Sequence, residues 1–183
     1  MKRQIFAAVV FVFFLTAVGS SVPKTEIRYQ TSDLGSGRWQ YSYDVTNISL
    51  TAPIEEFTLW FDFGLYKNLA IQTPDPLASN WSEIVLQPEP VLQDDGCYDA
   101  LALDVGIGIG QTVSGFAVSF DWLGDAVMPG PQFYEIIDPV TFETIDSGYT
   151  VPEPATILLL GLGSSILKRI NRGVRREHRE IKN

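Results

Sequence analysis

Between residues 20 and 150 apolar and polar positions alternate in short runs. Arg38 to Val45 places Trp39, Tyr41, Tyr43 and Val45 on one face with polar residues between them, the period-two pattern of a half-buried strand. In Ile54 to Phe63, Glu55, Phe57, Leu59, Phe61 and Phe63 form an almost wholly apolar face, alternating with Ile54, Glu56, Thr58, Trp60 and Asp62. Gly115 to Trp122 aligns Phe116, Val118, Phe120 and Trp122 in the same way. Glu26 to Gln30, Trp81 to Leu86, Tyr98 to Val105, Gln132 to Ile137 and Thr141 to Ile145 bring the predicted strands to eight, separated by Gly, Pro, Asn or Asp. The stretch from Asn47 to Pro53 reads as a turn that makes the strands on either side of it neighbours. No amphipathic helix precedes residue 155. Many short strands with frequent turn residues in about 130 positions predict an all-β antiparallel sandwich.

The two ends follow different patterns. Lys2 and Arg3 precede an apolar run from Ile5 to Val18, broken only by Thr16, and small residues follow at Gly19, Ser20 and Ser21. That order is a secretory signal peptide, with cleavage expected after Gly19. An uncleaved anchor is disfavoured, because the run has fourteen residues and a stable span needs about 20. At the other end Val151-Pro152-Glu153-Pro154 is followed by an apolar segment, Ala155 to Leu167, and then by Lys168, Arg169, Arg172, Arg175 and Arg176. Two prolines around Glu153 prevent helix there and leave an extended, open backbone of the kind a peptidase binds. The next thirteen residues make roughly 20 Å of helix against a hydrocarbon core of about 30 Å, a marginal span. Snorkelling of Lys168 and Arg169 and local thinning extend its reach, and the basic cluster is expected to stay cytoplasmic.

This order of signals resembles the PEP-CTERM sorting signal of Gram-negative bacteria, in Val151 to Pro154, Ala155 to Leu167 and Lys168-Arg169. The resemblance implies recognition by exosortase, a multi-span inner-membrane cysteine transpeptidase that cuts near the Pro-Glu-Pro site and passes the protein to the envelope or exterior. Translocon, signal peptidase and inner membrane are the other partners it implies. The basic tail runs on to Asn183, beyond the arginine cluster at which such signals usually stop. The expected organisation is therefore a cleaved signal peptide at 1–19, a β-sandwich domain at 20–150 and a sorting signal at 151–183. Within that signal the motif occupies 151–154, a single transmembrane helix 155–167 and the basic tail 168–183.

Charge sharpens this division. The chain's 22 acidic and 13 basic residues give a net of −9, but nine of the thirteen positive charges lie at the two ends. Residues 20–151 hold 4 basic and 19 acidic side chains, a net of −15. Such a segment repels nucleic acid and stays soluble on export. A near-neutral mean hydropathy of +0.09 excludes both a disordered acidic tail and a multi-span membrane protein.

Little catalytic chemistry is left. The one histidine, His178, lies in the expected cytoplasmic tail, so Ser-His-Asp, Cys-His and Cys/His zinc arrangements are not expected in the domain. The one cysteine, Cys97, has no partner for an internal disulfide and reads as a small buried residue. Carboxylate pairs for glycoside hydrolysis are available among Asp94, Asp95, Asp99, Asp104, Glu55 and Glu56, as in any acidic domain. Asp94-Asp95-Gly96 with Asp99 is the one calcium candidate, with an Asp-Gly turn the favoured reading. Gly106 to Gly110 lacks the ending of a phosphate loop and reads as strand or turn glycine. Asn47-Ile48-Ser49 and Asn80-Trp81-Ser82 are formal glycosylation sequons. No cofactor is expected. The leading expectation is a non-enzymatic surface or matrix protein, which would add an exopolysaccharide as partner. The alternatives are a carbohydrate-binding module using Trp39, Trp60, Trp81, Trp122 or tyrosines, and a permanently anchored envelope protein.

Overall fold

Alternation along the chain becomes two facing apolar surfaces. The computed structural model describes residues 23–154; the expected signal peptide (1–19), transmembrane helix (155–167) and basic tail (168–183) lie outside the described residues. The strands are β1 (Thr25–Gly35), β2 (Arg38–Asn47), β3 (Glu56–Phe61), β4 (Tyr66–Ile71), β5 (Trp81–Leu86), β6 (Gly96–Ala102), β7 (Thr112–Trp122), β8 (Phe133–Ile137), β9 (Thr144–Tyr149) and β10 (Val151–Pro152). The first sheet has the order β10-β1-β2-β7-β4 and the second β5-β6-β3-β8-β9. Pairing is antiparallel except between β1 and β10, which run parallel. The all-β expectation holds for the described residues.

Tyr41, Tyr43 and Val45 of β2 and Phe116, Val118 and Phe120 of β7 are buried, as their alternation predicts. They face Phe57, Leu59 and Phe61 of β3 and Tyr98 of β6 in one core. Rings meet edge to face between the sheets, Phe57 on Phe116 with centroids 4.9 Å apart and Phe61 on Tyr66 at 5.1 Å. That arrangement sets the positive edge of one ring against the negative face of the other. Six buried tyrosines need polar partners inside the core. Tyr41 Oη donates to the Gly130 carbonyl at 2.6 Å, and Tyr43 Oη donates to Gln132 Oε1 at 3.2 Å.

The turn expected at Asn47 to Pro53 does not pair its flanking strands. β2 pairs with β1 and β7, whereas β3 pairs with β6 and β8 in the other sheet. Asn47 causes the crossing. It is fully buried, and its amide Nδ2 donates to the carbonyls of Ala52 and Ile107 while Oδ1 accepts from Leu50 N–H. Ile54 then bridges Ile107, which delivers the chain to the second sheet. The hairpin lies instead between β1 and β2, around Gly35, Ser36 and Gly37, all at positive φ. The glycine run is used structurally as expected: a Cβ on Gly106 would lie 2.5 Å from the Ile54 carbonyl oxygen.

Other boundaries move for local reasons. β4 was not predicted because Asn68, at φ 55°, breaks the alternation and leaves Tyr66 and Leu69 three positions apart on the buried side. β9 begins at Thr144, later than expected, because Asp138 Oδ1 accepts the N–H groups of Val140 and Thr141 and folds that segment into a turn. The turn expected at Asp94-Asp95-Gly96 lies just before it, between Glu89 and Asp94, and Gly96 opens β6. β10 falls in the segment expected to be open, and it carries the sandwich past residue 150.

Candidate functional site

The motif residues Val151 to Pro154 stand where the chain leaves one sheet for the other. β9 belongs to the second sheet, and Thr150, 2% exposed, forms the corner. Its N–H donates to the Gln132 carbonyl at 2.8 Å, and Gln132 N–H donates to Thr150 Oγ1 at 2.9 Å. Val151 and Pro152 then lie beside Arg28 and Tyr29 as a parallel edge strand of the first sheet. Pro152 has no N–H to offer, and a sheet edge is where a strand tolerates that loss. Glu153 N–H closes the pairing on the Tyr29 carbonyl at 3.0 Å. The Gln30 side-chain amide donates to the Glu153 carboxylate. The segment is extended, as the prolines predict, but its backbone is hydrogen-bonded to β1 and is not open.

The candidate acids are not gathered at one centre. Asp94 pairs through its backbone with Glu89, Asp95 Oδ1 accepts from Phe63 N–H at 3.0 Å, and Asp104 and Glu55 are exposed. Asp99 accepts from Thr58 Oγ1 at 2.7 Å. Among the described residues no group of three His, Cys, Asp or Glu side chains is placed to hold a metal ion. Glu56 and Asp99 do share the outer face of the second sheet around Thr58, with Glu135 on Thr58's other side. Burial raises the Asp99 carboxyl above its ordinary value, against the lowering pull of the Thr58 hydrogen bond. Burial and then the Asp99 charge raise Glu56. Sequence reasoning missed Glu135, whose only signal was its outward parity in the Gln132 to Ile137 run.

Cys97 is buried, and burial pushes its thiol pKa up. Trp81 is buried, Trp39 and Trp122 pack against the core, and Trp60 faces outward but is only partly exposed, with Nε1 donating to Glu135 Oε2 at 3.0 Å. The exposed rings are others, among them Phe133 and Tyr149, whose centroids lie 5.4 Å apart. The cross-strand registers set Leu86, Cys97 and Trp60 beside one another across β5, β6 and β3, and pair Phe133 with Tyr149 across β8 and β9. Of the two sequons, Asn47 is consumed by the crossing described above, and Asn80 is exposed with Nδ2 donating to the Pro76 carbonyl at 3.0 Å.

Residues 150–170 match the family described as the PEP-CTERM protein-sorting motif. The chain carries a PEP-CTERM sorting motif. The match begins at the Thr150 corner, so the whole of β10 lies inside the motif. No curated protein matches the chain. The PEP-CTERM motif implies an exported chain, sorted at the membrane with exosortase as its processing partner.

Proposed function

We propose that the chain is an exported, non-enzymatic surface or extracellular-matrix-associated protein, held transiently in the inner membrane and processed by exosortase within Val151 to Pro154. The supporting observation is the PEP-CTERM match at residues 150–170, directly joined to an all-β domain. In this reading the signal peptide starts export, and the segment 155–167 stops it in the membrane. Lys168, Arg169, Arg172, Arg175 and Arg176 hold the tail in the cytoplasm by the positive-inside rule. The acidic domain is released outward once the backbone is cut. Replacing Pro152, Glu153 and Pro154 together by alanine in a host that has exosortase tests this. The altered chain is expected to accumulate at full length in the inner-membrane fraction while the wild type leaves it. Full-length chain in that fraction for both would instead support a permanently anchored envelope protein.

A second reading, glycan binding, is favoured by the exposed ring pair of Phe133 and Tyr149 on the second sheet, whose neighbouring strand β3 carries the partly exposed Trp60. Aromatic faces stack on sugar rings, and the partly exposed carboxylates of Glu135 and Asp99 on the same sheet offer acceptors for hydroxyl groups. The tryptophans expected to carry such a site are less exposed than Tyr149 at 68% and Phe133 at 36%.

A further inference from the structure

We propose that β10 is a latch: the folded domain masks the sorting motif by pairing it with β1, and exosortase cuts only the fraction of chains in which β10 has peeled away. This inference rests on the processing reading above. A peptidase that takes its substrate as an added strand needs free backbone donors and acceptors on that substrate. In the closed structure those groups are engaged. Glu153 N–H is bonded to Tyr29 and the Glu153 carboxylate to Gln30, while Val151 and Pro152 lie against Arg28 and Tyr29.

The latch is built to open without unfolding the domain. β10 has two residues, stands at the sheet edge and presents Val151 at 38% exposure, so its release uncovers little apolar surface. Short edge pairings fray at much lower free energy than core strands. Behind β10 the chain is fixed at Thr150 by buried hydrogen bonds to Gln132, which places the hinge at the Thr150–Val151 link. Opening there frees the motif while β9 stays paired with β8. Gating of this kind slows cutting in proportion to the closed population, and anything that pulls on the segment after the motif speeds it.

A reversible crosslink tests the latch on the full chain. Arg28 and Val151 are direct partners in the parallel pair, and neighbouring strands lie about 4.8 Å apart, within disulfide range. The double variant Arg28→Cys, Val151→Cys is expressed with exosortase, and the oxidised and reduced forms of the same chain are compared. The oxidised form is expected to stay at full length and to be processed after reduction. Equal processing of both forms overturns the latch. Gln30 lies outside the motif, so Gln30→Ala loosens β10 without changing the residues exosortase reads. It is expected to raise the processing rate roughly threefold to tenfold, the loss of one hydrogen bond to a charged group at an exposed site. An unchanged or slower rate overturns the latch, provided the wild type is cut. Full-length chain in every case, wild type included, overturns the processing reading and the latch with it.

Discussion

Replacing Thr150 with valine keeps the shape of the side chain and removes one hydroxyl from the corner that precedes the sorting motif. Thr150 is 2% exposed, and its Oγ1 accepts the Gln132 N–H at 2.9 Å; Gln132 is itself 2% exposed. Valine leaves that N–H buried without a partner. It also removes the longer contact from Thr150 Oγ1 to Gln132 Oε1 at 3.4 Å, an oxygen that keeps the Tyr43 hydroxyl as donor. An orphaned buried donor costs about 1 to 3 kcal/mol, so a loss near the middle of that range is expected. For a domain of this size it corresponds to a fall in Tm of roughly 5–10 °C. Thr150→Ser is the control. It keeps the hydroxyl and loses one methyl group, about 1 kcal/mol. Thermal unfolding of the full chain in detergent, followed by tryptophan fluorescence with Trp81 as a buried reporter, separates the two. A valine variant no less stable than the serine variant would refute the role assigned to this hydrogen bond.

Three further outcomes follow from the geometry. Gly106→Ala sets a Cβ 2.5 Å from the Ile54 carbonyl oxygen. It should therefore destabilise the crossing by about 2 kcal/mol or more, read as a lower denaturant midpoint at unchanged slope. The Asp99 carboxyl is raised on folding, so the folded state binds its proton more tightly than the unfolded state. Its contribution favours the fold at low pH and is lost as pH rises from the ordinary carboxylate value through the raised one, so Asp99→Asn should flatten that part of the stability profile and stabilise the protein at pH 7. A profile with the same slope in the variant would contradict this. Under the glycan reading, Tyr149→Ala should abolish binding on a glycan array while lowering Tm by no more than about 5 °C, the loss of one exposed side chain and its edge contact with Phe133; retained binding would remove Tyr149 from that site.

Much of the sandwich was legible because period-two alternation is local: Tyr41, Tyr43 and Val45, or Phe116, Val118 and Phe120, announce a buried face without knowledge of the partner strand. Which strands pair is not local. Asn47 looked like the start of a hairpin turn, and only its buried bonds to Ile107 and Ala52 turn the chain toward the other sheet. β4 was hidden by a single residue, Asn68, whose left-handed backbone shifts the register. The sorting motif was legible because such a signal is read as linear sequence, in Pro152, Glu153 and Pro154. Its pairing with β1 was not, because two prolines lower strand propensity and the partner Tyr29 lies at the far end of the domain's sequence. The cluster of Glu56, Asp99 and Glu135 was illegible for the same reason, since three separate strands bring those side chains together around Thr58.

The central claim is that the chain is cut at its PEP-CTERM motif by exosortase. The mass of the mature protein's C-terminal peptide, taken from a host with exosortase and from one lacking it, tests this most directly. A terminus within Val151 to Ala155 that requires the enzyme is the predicted result. An intact Asn183 in both hosts would contradict the claim and leave a permanent membrane anchor.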